Sequence, residues 1–102
     1  MTEYERGQTA RIKVYLRDIN DNLVDPDQDT DYKITITIRD VTTGTTKVDS
    51  VTMTRESQGV FYYDWETAVD DTIGQYSIEV IAMVNSKQVV NRDYIDLVEV
   101  SL

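Results

Sequence analysis

The residues best suited to chemistry in this chain are the oxygens of one loop, Asp18-Ile19-Asn20-Asp21-Asn22-Leu23-Val24-Asp25-Pro26-Asp27-Gln28-Asp29-Thr30-Asp31, which holds six aspartates and no Lys or Arg. Asp18, Asn20 and Asn22 alternate as ligands do at the start of a calcium loop, and Asp25 adds a fourth oxygen donor. Ca²⁺ takes about six to eight hard oxygens, so these four are the candidate metal ligands. Three features depart from an EF-hand: Leu23 stands where the sharp turn needs glycine, no Glu occupies the twelfth place, and no helices flank the loop. The same residues also suit a connection in which Asp and Asn side chains bond their own backbone in Asx-turns. Both readings stay open on sequence.

Catalysis finds little support. Without histidine or cysteine, neither a Ser-His nor a Cys-His nucleophile can be assembled. Zinc has no ligand cluster, and four scattered glycines make no phosphate-cradling loop. Asp64 with Glu66, or Asp70 with Asp71, would supply the paired carboxylates of a glycosidase. Such pairs are common on an acidic surface, and a small sandwich offers no deep cleft. The chain reads as non-enzymatic, with no cofactor beyond the candidate calcium.

Strands must position these groups, because helical patterns are almost absent. Phe61, Tyr63 and Trp65 share one face of a run whose other face carries Asp64 and Glu66. Tyr76, Ile78, Val80 and Ala82 share one face of the next run, and the two runs read as neighbouring antiparallel strands. Ala10, Ile12, Val14 and Leu16 define another strand, and Ile34, Ile36 and Ile38 a further one. Val41 to Thr46 reads as a hairpin turn with Gly44 at positive φ. Val51 and Met53 mark one strand ending in the turn Glu56-Ser57-Gln58-Gly59. Asn85-Ser86-Lys87 reverses the chain into a last strand, where a change of apolar phase from Ile95 and Leu97 to Val98 and Val100 predicts a β-bulge near Leu97. Tyr76, entering its strand just after Gly74, has the placement of a tyrosine corner. Trp65, Phe61, Tyr63 and Tyr76 are therefore expected to be structural.

The length of 102 residues makes a single domain, 1–102, large enough to bury a core without disulfides. Nineteen acidic against 10 basic residues give a formal net charge of −9, which weighs against nucleic acid, since duplex binding draws on Lys and Arg. No run approaches the roughly 18 apolar residues of a membrane span, so membrane insertion is not expected. The N-terminus lacks the apolar stretch of a signal peptide, so either a signal was removed with an excised fragment or the protein is made and assembled in a cytoplasm. A first residue of Met suits a complete small gene product somewhat better, and both alternatives stay open on sequence.

On the outward faces, Tyr62, Ile81 and Met83 are expected to form one apolar docking patch on adjacent strands. A basic stripe of Arg11, Lys13, Lys33 and Arg39 would steer a protein partner toward it. The partners expected are other protein subunits, a second copy of the chain among them. A carbohydrate-binding reading would rest on Tyr15, Tyr62 and Tyr94 as outward aromatics.

The order Gly7 … Asp18-x-Asn20-x-Asn22-Leu23-Val24-Asp25-Pro26 … Ile34-x-Ile36-x-Ile38 … Gly44 … Gly59-Val60-x-Tyr62-Tyr63 … Gly74-x-Tyr76-x-Ile78-x-Val80 resembles small immunoglobulin-like proteins of tailed viruses. Similar modules recur in prokaryotic surface proteins. The likeness runs from about Tyr4 to Val98, and Leu23 departs from a glycine frequent in that loop. It implies an all-β, immunoglobulin-like antiparallel β-sandwich of about seven strands. It also implies a virion component (decoration, neck or fibre-associated) or an adhesion module. The alternative is an extracellular stalk or ligand-binding module of a cell-surface protein.

Overall fold

Alternating β-branched and polar residues leave these segments little choice but extended structure. In the computed structural model, which describes residues 2–99, they form eight strands and no helix among the described residues. The strands are β1 (Thr2–Glu5), β2 (Thr9–Tyr15), β3 (Ile34–Asp40), β4 (Thr46–Thr52), β5 (Thr54–Ser57), β6 (Val60–Glu66), β7 (Gly74–Val84) and β8 (Lys87–Val98). A five-stranded sheet in the order β1-β8-β7-β3-β4 faces a three-stranded sheet in the order β2-β6-β5. Every pairing is antiparallel except that of β1 with β8.

The core lies between the sheets. Ile34, Ile36 and Ile38 of β3 point inward beside Tyr76, Ile78, Val80 and Ala82 of β7, and meet Phe61 and Trp65 of β6 with Ala10 and Ile12 of β2. Tyr63 and Val14 pack against this cluster from its margin. The Trp65 and Tyr76 rings meet at 5.1 Å and 58°, and Phe61 meets Tyr32 edge-on at 5.4 Å. Each such side chain contributes about 1.5–3 kcal/mol by leaving water.

Four expectations need correction. First, β6 and β7 are not neighbours: they lie in different sheets, joined by a loop that crosses the sandwich. An aromatic inward face looks the same in sequence whether the next strand lies beside it or opposite. Second, the segment around Val51 and Met53 is two strands. The chain leaves the large sheet after Thr52, buries Met53 with its N–H on the Ile34 carbonyl (3.1 Å), and joins the small sheet at Thr54. Third, the β7–β8 register is unbroken from Gly74 opposite Leu97 to Val84 opposite Lys87. The apolar phase changes because β8 ends at Val98, and Val100 lies outside the described residues. Register shifts occur instead in the β3–β4 and β5–β6 pairs. Fourth, the described residues form eight strands, where about seven were expected.

Candidate functional site

The acidic loop is held by its own carboxylates. Asp18 Oδ1 accepts from the Asn20 and Asn22 amides at 2.9 and 3.0 Å, the geometry of an Asx-turn. Asp25 lies on the other side of the segment, where its two oxygens take the Arg55 guanidinium at 3.2 and 3.1 Å. Its Oδ1 also accepts from the Gly59 amide at 2.9 Å. The Arg55 hydrogen bonds, then the Gly59 amide, hold its carboxyl below the ordinary value. Gly59 itself has φ +72°, and a Cβ there would stand 2.8 Å from Leu23 Cβ and 2.9 Å from the Val24 nitrogen, so only glycine fits. Asp27 caps the β7–β8 turn through the Asn85 and Ser86 amides, at 2.9 and 2.7 Å.

For the candidate calcium ligands, the structure shows Asp18 bonded to the Asn20 and Asn22 amides and Asp25 bonded to Arg55 and the Gly59 amide. Two of the carboxylates are committed to backbone amides and to Arg55, and no group of three or more acidic side chains gathers to hold an ion among the described residues. The loop is stitched to its surroundings by those same oxygens.

The paired carboxylates are likewise engaged. Asp64 takes Arg11 in a two-point pair at 2.7 and 2.9 Å, which lowers its pKa. Asp71 is buried. Desolvation alone would raise it, but the Lys47 ammonium at 2.8 Å and the Ala68 amide at 2.7 Å prevail and leave it lowered. Close by, the wholly buried Tyr76 donates its phenol to the Thr72 carbonyl at 2.7 Å. Burial, with Asp40 and Asp71 nearby, pushes that phenol up to about 12.

The docking patch expected from Tyr62, Ile81 and Met83 does not form. Tyr62 is on β6 in the small sheet, with the Arg11 guanidinium 4.2 Å above its ring, whereas Ile81 and Met83 are on β7 in the large sheet. Ile81 and Met83 stand opposite Val90 and Gln88 of β8 and are half-buried. The basic stripe is divided in the same way, since Arg11 and Lys13 bond Asp64 and Glu56 on the small sheet while Arg39 lies on the large one. Tyr15, Tyr62 and Tyr94 also fall on different sheets and make no row for a sugar.

Sequence reasoning missed one concavity. A groove of about 380 Å³ runs along one flank, lined by Tyr4, the consecutive residues Arg11 to Tyr15 of β2, Ile78 and Val80 of β7, and Asn91, Asp93 and Ile95 of β8. A shallower continuation reaches Leu16, Ala82 and Val89. No sequence signal could have found it, because it depends on β2 being an edge strand whose one strand neighbour among the described residues is β6. Compared with protein-family models, with curated proteins and with solved structures, the chain matches none.

Proposed function

We propose that this chain is a non-enzymatic protein-interaction domain of immunoglobulin-like topology, serving as a decoration, neck or fibre-associated component of a virion. The observation that carries the non-catalytic reading is the fate of the shifted acids. Asp25, Asp64 and Asp71 are each held down by a cation or amide that fastens a loop or strand. Perturbed groups at work in catalysis tend instead to face a cleft. The strand order and the Tyr76–Thr72 bond support the immunoglobulin-like topology. The placement in a virion rests on the resemblance of the turn and core residues to tailed-virus proteins.

A stalk module of a cell-surface protein is the second reading, favoured by an elongated body of 44 × 25 × 24 Å. The test is location. Mass spectrometry would compare purified particles with washed envelopes of cells that make the protein. Recovery in particles at a fixed ratio to other particle proteins supports the virion reading, and recovery in envelopes moves the assignment to the stalk. Recovery in neither overturns both.

A further inference from the structure

A sheet edge exposes backbone donors and acceptors to any strand that can reach them, and proteins usually blunt such edges. Three of the four edges here are blunted. β1 and β5 have four residues each, β5 has a register shift, and β4 is bulged where Ser50 takes φ +50°. β2 differs: its seven residues pair with β6 in unbroken register. The Leu16 amide bonds Gly59 and the Gln8 carbonyl bonds Thr67, so even-numbered residues of this stretch face β6. By the alternation of an antiparallel ladder, Thr9, Arg11, Lys13 and Tyr15 turn their N–H and C=O groups to the open side. The charges that would guard this edge are drawn away from it, Arg11 to Asp64 and Lys13 to Glu56.

Beside the open edge lies a ledge. β2 packs over Ile78 and Val80, and the inward-facing Val89, Asn91 and Asp93 of β8 are left exposed beyond it. Tyr4 closes the far end, its hydroxyl 3.4 Å from the Arg11 carbonyl. The floor changes character along its length: Val14, Val80, Ala82 and Val89 at one end, the Asp93 carboxylate at the other. Asp93 is bonded by the Tyr94 amide, and no ion pair reaches it among the described residues.

We infer that this groove receives an extended segment of a partner protein, added as a strand to the open edge of β2. Its inward side chains are a basic residue set against Asp93 and, two and four positions along, apolar residues set against Val80 and Val89. Backbone pairing gives such an addition its affinity, and the alternate side chains give it specificity. The charge complement at Asp93 and the unbroken seven-residue edge of β2 beside it favour this occupant. A second copy presenting its own β2 would bring the two overhanging β8–β1 ledges into collision. The inference rests on the protein-interaction reading above and names the partner's chemistry.

The test uses the whole chain with three capped peptides: Thr-Lys-Thr-Val-Thr-Val-Thr, the same peptide with Glu for Lys, and the Lys peptide with alternate backbone N-methylation. Amide NMR shifts read the binding. The expected result is that the Lys peptide moves the amides of Arg11, Lys13, Tyr15, Asn91 and Asp93. The Glu peptide should bind about three- to tenfold more weakly, the scale of one partly shielded ion pair, and the methylated peptide not at all. Asp93→Lys should reverse the preference between Lys and Glu. Equal binding of the Lys and Glu peptides to the unaltered chain overturns the proposal, as do shifts on the outer sheet faces or no shifts. Concentration-dependent shifts at β2 without peptide overturn it in favour of a second copy. None of these outcomes touches the location test, so the two readings fail separately.

Discussion

Tyr76 shows how one residue can be read from spacing and then weighed from its surroundings. Its ring is fully buried against Trp65, and its hydroxyl ties the crossing loop at Thr72 to the start of β7. Tyr76→Phe keeps the ring and removes the bond, which should cost about 1–2 kcal/mol in urea unfolding because the Thr72 carbonyl loses its donor. The titration of the phenol provides a second check. Its folded pKa, about 12, lies above the ordinary 10.0, so the neutral form is favoured in the fold. The stability this confers is complete below about pH 10 and is lost as pH rises toward 12. Phenolate absorbance should therefore show one of the seven tyrosines ionising late, and Tyr76→Phe should abolish that late step. A late step that survives the substitution would place the raised pKa elsewhere.

At the scale of elements, the β7–β8 hairpin is the longest feature, with strands of 11 and 12 residues in unbroken register. Its turn holds Asn85 and Ser86 at φ 51° and 62°, the left-handed pair that matches strand twist in a two-residue hairpin. Ser86→Gly should raise stability by roughly 0.5–1 kcal/mol, since glycine takes this conformation without a Cβ penalty. Asp27→Ala should lower it by about 1–2 kcal/mol, because the carboxylate that accepts both turn amides is gone. Thermal melts of the two variants read opposite signs, and a matched sign would refute the turn geometry. This turn was legible because Asn-Ser between two apolar runs is a local signal. So was the alternation in β2, β3, β6 and β7. Pairing was not legible, since period two assigns a face and says nothing about neighbours. The same limit hid the Met53 crossing, where two short strands read as one. It also divided the apolar trio of Tyr62, Ile81 and Met83 between opposite sheets. In the acidic loop composition pointed to oxygen chemistry, but which partners those oxygens take depends on Arg55, Gly59 and the distant hairpin turn.

For the whole molecule, the formal charge of −9 is spread over a body whose distant segments are fastened by acid–base pairs. Arg55–Asp25 holds the long loop to β5, Arg11–Asp64 joins β2 to β6, Lys47–Asp71 joins β4 to the crossing loop, and Arg6–Glu99 links the two chain ends. Apart from Lys47–Asp71, whose carboxylate is buried, these are surface pairs and individually weak. Their shared consequence is a pH dependence with a definite sign. Asp25, Asp64 and Asp71 all have folded values below the ordinary 3.8. Each favours the fold fully above that value and ceases to do so as pH falls through its lowered folded value. The acid transition is therefore expected below about pH 3.8 rather than in the mildly acidic range. Arg55→Gln removes the largest cause of the Asp25 shift and brings that carboxyl closer to its unfolded value. Urea unfolding at about pH 7 and at about pH 3 should then show a smaller loss of stability in the variant than in the unaltered chain. Because both measurements are made on the same variant, a general destabilisation by the substitution cancels in the difference. Equal losses in the two proteins would mean that the Arg55–Asp25 pair does not shift the carboxyl in solution, and the long loop would have to be held by Asp27 and by backbone bonds such as that from the Val24 amide to the Leu16 carbonyl.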